Sequence, residues 1–107
     1  MSILQDRLRI VPEFRPDEYD HLRSLLGGKL ERRLSRFDED QVELELSVKE
    51  RDSDSQRTVL EAWIAGLPRF VATSTELERD RAVTEVRDDL HRQIDKHVTK
   101  QESSRRR

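Results

Sequence analysis

The chain contains no cysteine, which excludes a disulfide framework, thiol catalysis and cysteine-ligated zinc. Asparagine is also missing, and arginine outnumbers lysine 17 to 4, a bias of GC-rich coding that bears on source rather than function. Glycine numbers only three. Gly27-Gly28 falls inside a helical pattern and matches no phosphate-loop fingerprint. No apolar run approaches the roughly 20 residues needed to span a bilayer. Met1 to Arg7 lacks the apolar stretch of a secretory leader. The expectation is a soluble, cytoplasmic protein with no membrane partner. A large excess of one charge is absent too: the net charge is −2 at pH 7, so self-repulsion does not forbid folding.

What is present is charge of both signs. Charged residues make up 41% of the 107 positions, against about 25% in ordinary domains. Leu, Ile, Val and Phe total 28, above the roughly 20% floor below which chains stay disordered. This length predicts one domain that hides about 60–65% of its unfolded surface. We place that domain at residues 1–100. Residues 101–107, a stretch with no apolar side chain that ends in Arg105-Arg106-Arg107, read as a disordered basic tail.

Hydrophobic periodicity sets the element order. Leu8-Arg9-Ile10 predicts a short strand closed by Pro12. After Pro16 a helix is expected from about Asp17 to Arg36, with Tyr19, Leu22, Leu26, Leu30 and Phe37 on one stripe. Gly27-Gly28 interrupts it, at about 1 kcal/mol per glycine relative to alanine, and marks tight packing or a kink. Val42, Leu44, Leu46 and Val48 alternate with Glu43, Glu45 and Ser47, giving a strand with one buried and one wet face. A third strand follows over Thr58–Ala65, with Val59, Glu61 and Trp63 outward. A Gly66-Leu67-Pro68 turn leads to a fourth at Arg69–Thr73. Short loops between the last three strands predict an antiparallel meander. Thr75 and Glu78 have capping-box spacing ahead of a helix over Thr75–Lys100, whose stripe is Val83, Val86, Leu90, Ile94 and Val98. The fold class is α+β in the order β-α-β-β-β-α, a four-stranded sheet with two helices packed on one face.

Catalytic chemistry has little support in this pattern. No serine has nucleophile-elbow spacing. His91 and His97 are six apart and point to different sides of a helix, and His21 lies on the other helix, so no metal site is expected. Neither a cofactor nor an enzymatic activity is expected. Basic side chains are the feature with binding potential. Lys29, Arg32 and Arg36 fall at i, i+3 and i+7 beside the first apolar stripe, and Arg33 is expected to snorkel. Arg81, Arg92, Lys96 and Lys100 share the face opposite the second stripe. Side by side, the two helices would present these seven residues to phosphates. Glu85, Asp88 and Asp89 interrupt the same face, and the plainer reading is a solvated surface of mixed charge.

The whole pattern resembles the ribosome hibernation-promoting factor family, also called the ribosome-associated inhibitor or sigma-54 modulation protein family. Leu22-Arg23, then Lys29-Leu30-Glu31-Arg32 and Phe37, are similar to that family's first helix. Ala82-Val83, Asp88, Leu90, Arg92-Gln93-Ile94 and Lys96-His97 are similar to its last. The Gly66 turn before Phe70, Val71 and Ala72 also fits. The resemblance covers about Leu8 to Lys100 and implies a non-catalytic translation inhibitor. Such a protein binds the small ribosomal subunit and its rRNA near the decoding centre and keeps idle ribosomes inactive under stress. By position it carries RNA contact to Lys29, Arg32, Arg92 and Lys96, reading shape more than sequence. The chain departs from the family in four places. Asp89 stands where lysine is usual, Asp80 where an aromatic is common, Arg33 where an apolar residue is usual, and Gly27-Gly28 where better helix formers stand. The length corresponds to the short type, without the second domain that pairs ribosomes in long members. The alternative is a divergent member that binds a protein partner through the open sheet face around Trp63. A general double-stranded RNA binder is the third reading.

Overall fold

The period-two alternation does produce one buried sheet face. The computed structural model describes residues 3–11 and 13–105, with side chains described for 4, 6–11 and 13–99. Pro12, expected to close the first strand, lies outside the described residues, as do Arg106 and Arg107. Strands β1 (Leu8–Ile10), β2 (Val42–Lys49), β3 (Arg57–Ile64) and β4 (Phe70–Ser74) form one four-stranded sheet in the order β1-β2-β3-β4. β1 pairs parallel with β2. β2, β3 and β4 form the expected antiparallel meander. The register puts Leu8 and Ala62 on either side of Leu44, and Ile10 and Leu60 on either side of Leu46. All these side chains are buried. The opposite face carries Arg9, Glu43, Glu45, Glu61 and Trp63, which stay partly or fully exposed.

Among the described residues four α-helices accompany the sheet: α1 (Ile3–Asp6), α2 (Tyr19–Leu26), α3 (Lys29–Leu34) and α4 (Arg79–Arg105). α1 is not foreseen by periodicity because one turn is too short to show it, yet its Leu4 is buried in the core. The single helix expected over Asp17–Arg36 is divided. A 3-10 turn at Pro16–Glu18 leads into α2, and the two glycines separate α2 from α3. Gly27 is extended at ψ −162°, and Gly28 has φ 72° and ψ −121°, a conformation that only glycine adopts without strain. The break keeps Leu22, Leu26, Leu30 and Leu34 all fully buried. Together α2 and α3 pack on α4, which also covers β3 and β4.

α4 starts at Arg79, not at Thr75. The side chain of Gln56 donates to the carbonyls of Glu76 (3.3 Å) and Leu77 (3.0 Å), which fixes the preceding segment in a non-helical shape. The Glu78 carboxylate accepts the N–H groups of Asp80 (3.2 Å) and Arg81 (3.0 Å). Glu78 itself is therefore the cap, in place of the expected Thr75 box. Val83, Val86, Leu90 and Ile94 are fully buried along the helix. At 27 residues α4 is about 40 Å long. It continues to Arg105, so residues 101–105 are helical where the sequence suggests disorder. Gln101 and Glu102 favour helix, and no glycine or proline intervenes.

Candidate nucleic-acid interface

Placing α3 against α4 makes an open groove of about 260 Å³ between them, lined by Lys29, Arg32, Arg33, Arg36, His91 and Asp95. Lys29 starts α3, Arg32 lies one turn later, and Arg36 follows in the turn after the helix. Among the described residues no ion pair engages Lys29, Arg32 or Arg36, and all three are exposed. Arg33 does not snorkel into solvent. Its side chain is 9% exposed, and its Nη2 lies 2.8 Å from the Asp95 carboxylate of α4. The groove thus holds four cations and one carboxylate, a local excess of three positive charges in a chain whose net charge is negative.

Of the seven expected contact residues, three are among those that line the groove. Lys29, Arg32 and Arg36 come together. Arg92 and Lys96 are exposed on α4 but line none of the groove, because the side chains that α4 sends there are those of His91 and Asp95. At about 100° per residue, Lys96 is turned well away from Asp95. Arg92 sits on the adjoining face, three residues from Asp95. It is 76% exposed, with Asp89 at 3.8 Å. A pair that open contributes little. The side chain of Lys100 lies outside the described residues.

Arg81 belongs to a different environment. It is some 16 Å before Arg92 along the helix and lines a second groove with Glu76, Glu78, Asp80, Thr84, Glu85 and Asp88. Five carboxylates surround this one cation, although Asp80 is paired with Arg79 (2.8 Å) and Asp88 with Arg87 (2.9 Å). The exposed surface of α4 therefore runs from acidic at its start to basic where α3 adjoins it.

Sequence reasoning missed the buried ionic cluster that fixes the start of α4. Glu18 is 10% exposed at its side chain and receives both arms of the Arg51 guanidinium, at 2.8 and 2.7 Å. It also accepts from Arg79 (2.8 Å) and from the N–H of Arg15 (2.9 Å). The Arg51 fork holds the Glu18 carboxyl far below the usual carboxylate range; burial opposes this, and Arg15 and Arg79 add to it. Arg51 also donates to the Glu13 carbonyl and lies over the Phe14 ring, 5.4 Å from its centroid. Asp80 continues the network to His21 at 2.9 Å. That contact first, and then Arg79, holds its carboxyl below the usual range. The cluster ties the first loop, the β2–β3 hairpin, α2 and α4 together.

The three histidines stay apart. His21 meets Asp80, His91 lines the groove, and His97 packs edge-on against Phe70 with ring centroids 5.8 Å apart. Among the described residues no three His, Asp or Glu side chains are placed to hold a metal ion. No helix among them is long and apolar enough to cross a membrane. On the outer sheet face Trp63 is half-buried, opposite Glu43 in register.

No family model matches the chain, and no curated protein matches it in sequence. Among solved structures it is similar to the crystal structure of the Thermus thermophilus Protein Y N-terminal domain, with a TM-score of 0.53. The match has 17% identity and covers 86% of this chain and 96% of that one. At that identity the likeness is one of fold, and it extends over nearly the whole of the other domain.

Proposed function

We propose that this protein is a non-catalytic, ribosome-associated inhibitor of translation. It docks on the small ribosomal subunit near the decoding centre and keeps idle ribosomes inactive under stress, as a single cytoplasmic domain. The observation that carries this reading is the α3–α4 groove, where Lys29, Arg32 and Arg36 stand exposed together, with no ion-pair partner among the described residues. The fold shared with the Protein Y N-terminal domain, and the resemblance of both helices to those of hibernation factors, support the same reading. Phosphates of structured RNA are the chemical class that three closely spaced cations fit, through charge-assisted bonds that read shape. In this reading Lys29, Arg32 and Arg36 are the primary contacts. Arg92, Lys96 and Lys100 are peripheral, and Arg81 makes no contact with RNA. The test is co-sedimentation of the purified chain with purified small subunits at low salt. Pelleting with the subunit supports the proposal, and a chain left wholly in the supernatant overturns it.

A second reading has its own observation. The acidic groove at the start of α4 repels RNA, and on the outer sheet face Glu45 and Glu61 stand opposite each other with arginine partners, Arg9 at 3.3 Å and Arg69 at 3.5 Å, a patterned charge surface. They favour a protein partner on the surface that includes Trp63. Substituting Trp63→Ala separates the two: ribosome binding is unchanged under the first reading and any partner is lost under the second.

A further inference from the structure

Arg33 is out of place as a surface cation. Its side chain is 9% exposed, its Nε is buried without a hydrogen-bond partner, and its guanidinium is held at 2.8 Å by Asp95 across the helix interface. Asp95 is 55% exposed and is the one carboxylate lining a groove otherwise furnished with Lys29, Arg32, Arg36 and His91. A nearly buried guanidinium needs an anion, and a phosphate serves it at least as well as a carboxylate, because both accept its fork in two parallel bonds.

We infer that Asp95 is a built-in competitor for the groove's phosphate site: by occupying Arg33 it withholds a fourth ligand from an incoming phosphodiester. The inference deepens the proposed function and rests on the same groove. It assigns Arg33 and Asp95 opposed roles there. Arg33 is a latent phosphate ligand, and Asp95 sets how many positive charges the groove offers. With the pair closed the groove presents Lys29, Arg32 and Arg36. Removing the Asp95 charge frees Arg33 to join them.

The test is a titration of the full chain with a short oligouridylate over a range of salt concentrations. Each phosphate neutralised on a single strand contributes about −0.7 to the log–log salt slope. The native chain is expected near −2 and Asp95→Asn near −3, with binding about five- to tenfold tighter at low salt. Arg33→Met, which leaves Asp95 unpaired among the cations, weakens binding below native. The double variant Arg33→Met with Asp95→Asn has no Arg33 to free and returns to the native slope; a slope there as steep as that of Asp95→Asn would overturn Arg33 as the added ligand, and Asp95→Ser takes the place of Asp95→Asn if the latter fails to fold. Asp54→Asn, which removes the same charge from the exposed β2–β3 hairpin, leaves the slope at its native value. An unchanged slope in Asp95→Asn, or an equal gain in Asp54→Asn, overturns the inference. Because the probe is an oligonucleotide, failure here with intact ribosome binding rejects only the competitor role. A gain in Asp95→Asn without ribosome binding rejects only the proposed function.

Discussion

Glu18 shows how much a single side chain governs in this molecule. It is a nearly buried carboxylate with two arginine partners and a backbone donor, so deleting it leaves Arg51, itself largely buried, without a carboxylate and takes one of the two that Arg79 holds. Glu18→Ala is expected to cost about 3 kcal/mol of stability, read as a lower urea midpoint with an unchanged slope. The depressed acidity also fixes a pH dependence. A carboxyl with a lowered folded-state pKa stabilises the fold fully above its unfolded value, here about 4.5, and loses that contribution as pH falls below it. Urea midpoints of the native chain should therefore decline steadily below about pH 4.5, with a shallower decline in Glu18→Ala. None of this was legible in the sequence. Glu13, Glu18, Arg51, Arg79 and Asp80 come from three separate stretches, and no local pattern marks charges that meet only through tertiary packing. Arg33 was misread for the same reason: its distance from solvent depends on Asp95, 62 residues later in the chain.

Elements were more legible than single residues, and the degree followed the length of the repeating signal. Four alternating positions located β2 and its buried face. Helical spacing found the α4 stripe from Val83 to Ile94. Boundaries failed where a contact distant in sequence intervened: Gln56, on the β2–β3 hairpin, delays the start of α4 by holding the carbonyls of Glu76 and Leu77. The Gly27-Gly28 interruption was visible as a weakness, but periodicity continued through it, so a continuous helix was the natural expectation. The structure turns it into a break with Gly28 at positive φ. A Cβ at Gly28 would meet no neighbouring atom within 4 Å, which makes the backbone conformation the whole cost of a substitution. Gly28→Ala should lower stability by about 1–2 kcal/mol. It should also reorient α3 relative to α4, and so weaken oligonucleotide binding more than the stability loss alone accounts for. Thermal melts beside binding isotherms at a temperature well below the transition check both parts.

At the scale of the whole molecule, a net charge of −2 conceals segregation. Five carboxylates gather at the start of α4, while four cations face one carboxylate in the α3–α4 groove. The sequence located the basic residues of both helices but not their grouping. Sharing a helix face does not place side chains in one groove when the partner helix covers only part of that helix. A graded response to charge reversal follows. Lys29→Glu with Arg32→Glu should weaken RNA binding at least about tenfold at low salt. Arg92→Glu with Lys96→Glu should have a smaller effect, and Arg81→Glu should leave binding unchanged. Equal losses in all three would mean a diffuse electrostatic contact spread over both helices instead of one seated in the groove.

The most direct measurement is co-sedimentation with purified small ribosomal subunits across a salt series, comparing the native chain with Lys29→Glu/Arg32→Glu. The native chain should pellet with the subunit at low salt and leave it as salt rises, and the charge-reversed variant, folded by circular dichroism, should stay in the supernatant throughout. A native chain that never pellets contradicts ribosome association, and a variant that pellets like the native chain contradicts the groove as its site.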